Sequence, residues 1–414
     1  MRRLLLFMLL TLSISTLWAQ LPVVSGTVTD AVTGKPVAGA SVTAAGLTVV
    51  TNDDGYFTLK TDSAVSDVTV SHIGYRQQRT SGDHGQPLIV SLQPTAIQLR
   101  EVLVMADDPR QLLLTAIARI AHNYSQRAEM YHCFYRETAM KRQHYISVAE
   151  GVVDMYKTGY RGPSQLDNAW STASATWRDR VAIRKGRRLL SAKRSDTLTV
   201  KVMGGPLAPV QLDIVKDLGM LLNADELDHY RLTMEAPTTI GPRPQFVVSI
   251  APRHVMPYAL YIGRLYIDQE TLAFTRAELQ LDMSDRRKAT DQMLVRKPFG
   301  VRFRPRELAL LIDFRQGGDH LTRLTYIRTT FRFSCDWRRR LFATQFTAQC
   351  ELAVTSTTTG NSVKPIRGRE SFDQRDAFFD KVDYFRDRQF WANYNIIEPT
   401  ESLDRAINRL LKKY

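Results

Sequence analysis

Between Val24 and Leu92, turn-forming residues cut the chain into short runs that alternate apolar and polar side chains. Val24, Gly26 and Val28 lead into Asp30-Ala31-Val32-Thr33-Gly34-Lys35-Pro36, a polar stretch punctuated by Gly and Pro. Val37, Ala40 and Val42 open the next run. Asn52-Asp53-Asp54-Gly55 then separates Val49-Val50-Thr51 from Tyr56-Phe57-Thr58-Leu59, the pattern of a hairpin. Val68 and Val70 alternate with Thr69 and Ser71 before Ile73-Gly74-Tyr75, and Leu88, Val90 and Leu92 close the series. Such runs are too short for helices and too regular for coil. The spacing predicts an antiparallel β-sandwich of about 70 residues.

The motifs Gly26-x-Val28-x-Asp30, Gly34-x-Pro36-Val37-x-Gly39-Ala40-x-Val42, Thr51-x-x-Asp54-Gly55-x-Phe57 and Ile73-Gly74-Tyr75 resemble the carboxypeptidase regulatory-like domain. The resemblance implies a transthyretin-like, immunoglobulin-like sandwich found on exported and outer-membrane proteins of Gram-negative bacteria. It does not imply a peptidase. A zinc carboxypeptidase needs a His-x-x-Glu pair and a distant third His around an open water position. None of the histidines at 72, 84, 122, 132, 144, 229, 254 and 320 has Glu three residues later. Asp53 and Asp54 read as a turn, because a calcium loop would need further oxygens and a Glu at its twelfth position.

Met1-Arg2-Arg3 followed by the apolar run Leu4 to Trp18 and small Ala19 has the anatomy of a secretory signal peptide. The alternative is a membrane anchor, for which the run is short. No later stretch is apolar enough for a helical membrane span, so none is expected in the mature chain. The expected location is the periplasm or the periplasmic face of the outer membrane. Of the three cysteines, Cys335 and Cys350 could face each other across neighbouring strands, while Cys133 has no obvious partner. Basic and acidic residues balance through residue 105, so the net charge of +14 belongs to the remainder. A basic field attracts anionic partners. Export argues against nucleic acid and leaves lipid headgroups, acidic glycans or an acidic envelope protein; a merely solvated Arg-rich surface is the plain alternative.

Beyond a connecting strand at Leu99 to Val104, Asp108-Pro109 supplies an N-cap and a first-turn proline. Leu113, Ala116, Ile117, Ile120 and Tyr124 then recur at helical spacing opposite Arg110, Arg119 and His122. From Tyr131 the period becomes two, through Tyr145–Tyr156, Gln245–Ile250, Tyr261–Ile267, Ala273–Asp282, Val301–Arg306, Thr322–Cys335 and Phe346–Val354. In Ala273–Asp282, Ala273, Thr275, Ala277, Leu279 and Leu281 fall on one face and Phe274, Arg276, Glu278, Gln280 and Asp282 on the other. Long antiparallel strands with one polar face predict a large curved sheet. The stretch Gly263 to Leu279 is similar to a hairpin of the LolA/LolB-like periplasmic lipoprotein carriers, which implies an incomplete barrel cupping a helix and able to hold acyl chains. Thr400, Glu401 and Asp404 begin a last helix with the stripe Leu403, Ile407, Leu410 and Tyr414.

The fold expected is therefore mainly β. A signal peptide (1–20), a sandwich (21–93) and a linker strand (94–108) precede a β-rich α+β domain with an N-terminal helix (109–399) and an amphipathic C-terminal helix (400–414). No GxSxG, Walker loop, GxGxxG or CxxC is present, and no catalytic, metal or cofactor residue stands out. The densest feature is the basic run Arg178 to Arg194. Arg184, Lys185, Arg187 and Arg188 form a candidate anion-binding patch suited to phosphates or carboxylates. The competing reading is a strand edge kept from pairing by its charge. The function expected is a non-enzymatic envelope protein: the sandwich docks or spaces, and the larger domain binds an apolar or anionic ligand or an outer-membrane partner, with peripheral association. The alternative is an unrecognised hydrolase of glycans or peptides using scattered carboxylates.

Overall fold

The computed structural model describes residues 22–63, 65–82, 86–95, 108–160, 178–190, 201–202, 204–337, 343–373, 376–384, 391 and 394–411. The signal-peptide segment, the Leu99 to Val104 strand, Lys193, Arg194 and Tyr414 lie outside them.

The N-terminal strands are β1 (Val23–Asp30), β2 (Ser41–Ala44), β3 (Leu47–Val50), β4 (Tyr56–Lys60), β5 (Asp67–Ser71), β6 (Gln78–Ser81) and β7 (Leu88–Leu92). They form a three-stranded sheet, β4-β1-β7, and a four-stranded sheet, β3-β2-β5-β6. One apolar core joins the two, with Val24, Val28, Phe57, Leu59 and Val90 meeting Val42, Val49, Val68 and Val70. The expectation of a purely antiparallel sandwich is corrected at β7, which runs parallel to β1. Gly26 makes that pairing possible, since a Cβ there would lie 2.2 Å from the Leu88 carbonyl oxygen.

The larger domain carries α1 (Pro109–Ala118) and α2 (Ile120–Asn123), then β8 (Glu129–Lys141), β9 (His144–Lys157), β10 (Arg180–Leu190) and β11 (Lys201–Val202). Short α3 (Ala208–Gln211) and α4 (Ala224–Leu227) precede β12 (Tyr230–Ile240), β13 (Arg243–Pro252), β14 (Tyr261–Asp268) and β15 (Phe274–Leu281). Then come α5 (Arg286–Met293), β16 (Leu294–Arg296), β17 (Val301–Gln316), β18 (Thr322–Trp337), β19 (Thr344–Thr358), β20 (Asp383–Tyr384) and α6 (Glu401–Leu411). Eleven strands form one open sheet, β12-β13-β14-β15-β17-β18-β19-β8-β9-β10-β20. Its pairs are antiparallel except β10–β20. β11 and β16 make a separate two-stranded ribbon.

Strand alternation gives the sheet two buried faces. One face packs on α1, where Asp108 accepts from the Arg110 and Gln111 amides and Leu113, Ala116, Ile117, Ile120 and Tyr124 are buried as the periodicity predicts. The segment containing α3 and α4 packs beside it through Val210, Ile214, Val215, Leu221 and Leu227. The opposite face meets the sandwich and the C-terminal tail: Phe134, Tyr326 and Ala353 cluster with Val50, Trp391, Ile396 and Ile397. α6 covers Val148 and Leu189 on that same face with Leu403, Ile407 and Leu410.

Two details depart from simple alternation. A register shift after Tyr266 pairs Ile267 with Phe274 and turns Phe274 into the α1-side core beside Ala277 and Leu279, instead of onto the polar face with Arg276. Cys335 and Cys350 do lie on adjacent strands, but Cys350 pairs with Thr329 and Cys335 with Thr344. Six residues of strand between Thr329 and Cys335 span roughly 20 Å, too far for a disulfide. All three cysteines are free and buried, and burial pushes the Cys335 thiol up to about 12.

Candidate functional site

On the α1 side, the sheet floor divides into two parts with different chemistry. Toward the ends of β13, β15 and β18 and the starts of β14, β17 and β19, the floor is apolar and aromatic. Phe303, Phe331, Phe333, Cys335 and Phe346 project from three neighbouring strands. Phe333 lies 5.0 Å from the Phe303 ring and 5.7 Å from Phe346, ring centre to centre. α5 roofs this floor with buried Ala289 and Met293, its N-terminus fixed by Asp285, which accepts from the Arg287 and Lys288 amides. Gln292 Nε2 donates to the Ala259 carbonyl at 3.0 Å, tying α5 to the β13–β14 loop. An eight-residue helix is too short to be stable without such packing.

At the opposite end the chain buries charge. Lys157 Nζ lies 2.7 Å from Asp213 Oδ2, with the two side chains 1% and 0% exposed. Tyr160 donates to the same oxygen at 2.7 Å, and its ring lies 5.1 Å from Lys157 Nζ and 5.4 Å from Lys216 Nζ. Lys216 Nζ also donates to Thr158 Oγ1 at 2.9 Å, while Thr158 donates through its amide and hydroxyl to Asp179. Glu129 pairs with Arg323 at 2.7 Å and accepts from Tyr131. Burial, reinforced by Asp213, holds the Tyr160 hydroxyl well above its usual range, so it stays a donor. Periodicity revealed the strands here but not the ionic cluster, because its members are scattered from Glu129 to Arg323. Every cation in it has an anion or carbonyl to meet, so the cluster reads as a lock on the α3–α4 segment.

The four residues of the basic run do not share one surface. On β10, Arg187 opposes Glu150 and Arg188 opposes Ala149, which places them on opposite faces. Arg187 and Arg136 both pair with buried Glu150, which also accepts from Trp391 Nε1 at 3.0 Å. Burial opposes the Glu150 charge, but the two guanidiniums outweigh it and hold the carboxyl below its ordinary value. Arg188 reaches the Phe379 carbonyl and Asp380. Arg184 sits at a register shift, 51% exposed, against Asp154, which His132 also engages at 2.8 Å. Lys185 Nζ lies 5.5 Å from the centre of the Tyr394 ring. Arg184 is thus the outward member, Lys185 is half-buried against the tail, and Arg187 belongs to the core of the tail's seat.

That tail clasps the sandwich. Lys60 donates to the Trp391 and Tyr394 carbonyls at 2.6 and 2.8 Å and exchanges two hydrogen bonds with Asn395. Asn52 shapes the Asp53-Asp54 turn by accepting from Asp54 and Tyr56 and donates to the Pro399 carbonyl. Asp53 meets Arg328, and Asp54 Oδ2 accepts the Glu401 amide at 2.6 Å, capping α6 from a distant part of the chain. The turn reading of these aspartates holds, and its docking role left no local signal in sequence. Among the described residues, no group of His, Cys, Asp or Glu could hold a metal ion, and no helix is long and apolar enough to cross a membrane.

No curated protein matches the chain. A solved DUF1329 family protein from Desulfovibrio piger is 8% identical, with a TM-score of 0.26, over 62% of this chain and 95% of its own. A LolA superfamily protein from Nitrosomonas europaea is 10% identical, with a TM-score of 0.22, over 60% of this chain and 94% of its own. A putative membrane-associated protein of unknown function from Bacteroides fragilis is 9% identical, with a TM-score of 0.16, over 81% of this chain and 98% of its own. Residues 24–104, which include the N-terminal sandwich, match the CarboxypepD_reg-like domain.

Proposed function

We propose that this is a non-enzymatic cell-envelope protein, exported to the periplasm or the periplasmic face of the outer membrane, whose larger domain binds an apolar ligand. The open sheet acts as an incomplete barrel around α1, and the sandwich is a docking and spacing module. The observation that carries the reading is the aromatic floor of Phe303, Phe331, Phe333 and Phe346 beneath α5. α5 has only eight residues and rests on two buried side chains, Ala289 and Met293, so it can lift without unfolding the sheet. An acyl chain would then replace its apolar underside. The anionic part of the expected ligand would meet the basic residues around α5.

The hydrolase alternative needs two carboxyls at a catalytic separation with their acidities pushed apart. Burial raises Asp217 and Glu398 above their ordinary values. The lowered carboxyl near Glu398 is Glu150, which is sealed from solvent and engaged by Arg136, Arg187 and Trp391, so it is closed to a substrate, which favours the non-enzymatic reading. The test is organic extraction of protein purified from its native host, with mass spectrometry of the extract. The proposal expects acyl lipid in near-equimolar amount. Extracts no richer in lipid than those of a control periplasmic protein would sink it.

A further inference from the structure

We infer that the loop from α5 to β17 is a membrane-docking element that inserts Phe299 into an anionic phospholipid surface. Phe299 is 99% exposed, at the tip of Pro298-Phe299-Gly300, where Gly300 takes a positive φ of 78° and turns the chain back into β17. Val295, on the same excursion, is also exposed. A third exposed apolar residue, Val255, is 91% exposed in the β13–β14 loop. Antiparallel order brings that loop to the same end of the sheet, and the Gln292–Ala259 hydrogen bond joins it to α5. Single exposed apolar residues are ordinary, but large ones gathered on one rim mark an interaction surface.

The charge around the tip selects the partner. Eight basic and two acidic side chains lie between Asp285 and Arg306, so this short stretch concentrates a large part of the excess positive charge. Arg286, Arg287, Arg296, Lys297, Arg302 and Arg306 are exposed. Among the described residues, none of Arg286, Arg287, Arg296, Lys297 and Arg302 pairs with an acidic side chain, whereas Arg304 is engaged by Asp336 and Lys288 by Asp285. An apolar tip among unneutralised cations fits a bilayer whose headgroups are negative and whose interior is hydrocarbon. The aromatic ring enters the interface while the cations stay at headgroup depth. A protein partner would have to pair these charges individually, and nothing in the loop fixes their geometry for that.

The proposal rests on the envelope reading but not on what the aromatic floor holds. Flotation of the full chain with vesicles separates the two. Wild type should bind phosphatidylglycerol-containing vesicles and leave phosphatidylcholine vesicles largely unbound. Phe299→Ser should weaken binding about tenfold, the loss expected when one aromatic side chain no longer leaves water. Arg296→Gln with Lys297→Gln should weaken it about twenty-fivefold at low salt, at roughly fivefold per charge. Thermal melting of each variant should match wild type, because all three side chains are exposed. Arg184→Gln with Lys185→Gln should bind as wild type. Equal binding to both vesicle types, an unchanged Phe299→Ser, or loss confined to the Arg184–Lys185 variant would each overturn the assignment. Wild type that carries no lipid yet binds vesicles would sink the ligand proposal and leave this one standing.

Discussion

The two ends of the eleven-stranded sheet solve the same problem, closing the rim of an open sheet, with opposite chemistries. At one rim Lys157, Asp213, Tyr160 and Lys216 are sealed from water, and Glu129 and Arg323 pair nearby. At the other, apolar Phe299 and Val255 project outward among cations, and the floor behind them is covered by a short helix and the β11–β16 ribbon. Removing charge from water is costly, and the cost is recovered only in one geometry, so a buried ion pair fixes the segment that carries it. Apolar packing tolerates rearrangement, so a helix lying on aromatic rings can move and be replaced. The sandwich touches the sealed rim as well, with Ile73 bridging to Ile240 and Gly74 donating to the Thr239 carbonyl. One rim is held by buried ion pairs, and the other by apolar packing under a short helix.

Stability depends most on Asp213. Asp213→Ala strands Lys157 as an unpaired buried cation and should cost about 3–5 kcal/mol in urea unfolding. Lys157→Met combined with Asp213→Leu should recover most of that loss, since no charge is then left uncompensated. A single substitution that costs under about 1 kcal/mol would show that this rim is not locked as described. At the other rim, Met293→Ala should cost about 2–3 kcal/mol, toward the low end for a buried methionine because so short a helix can settle onto the floor. Amide exchange should then accelerate selectively along α5 and leave the α3–α4 segment unchanged. Acceleration at both rims would erase the distinction drawn between them.

Much of this architecture was legible in the sequence, and what escaped has a physical reason. The Leu113–Tyr124 stripe, the Gly263–Leu279 hairpin and the Asn52–Gly55 turn are local patterns, set by periodicities and backbone preferences within a few residues. The parallel β1–β7 pair, the inward turn of Phe274 and the division of Arg187 from Arg188 depend on register and on which strand lies alongside. The basic run read as a patch because linear density was visible while strand alternation across a neighbour was not. Its Arg187 is spent on Glu150. The basic rim around Phe299 was hidden for a related reason: its cations are spread across a helix, a ribbon strand and a turn that only the fold gathers.

Acid should weaken the sealed rim, where the sandwich leans on the sheet. Burial, with Arg276 adding to it, lowers His72 to about 4. The unfolded chain, near 6.5, therefore binds a proton that the folded chain refuses between those values. The stabilisation is complete above about pH 6.5 and is lost as pH falls toward 4, at no more than about 1.4 kcal/mol per unit. His72→Gln should flatten that slope in stability measured against pH. An unchanged slope would place the titrating group elsewhere.

The smallest expected effect tests whether the clasp on the outer face is part of the fold or only rests on it. Asp54 caps α6 across the domain boundary through the Glu401 amide, while Thr400 Oγ1 accepts from Leu403 within the tail. Asp54→Ala removes one of the two caps and should cost about 1 kcal/mol. Asp54→Asn should cost less, because the side-chain carbonyl can still accept. If the sandwich and the larger domain unfold together, that loss will shift the whole transition. If they unfold separately, it will appear only in exchange at α6 and the tail, and the sandwich will be a spacer that the tail straps on. Lys60, Asn395 and Trp391 sit between these alternatives, joining the sandwich to Glu150 through one continuous set of hydrogen bonds. That continuity favours a single transition.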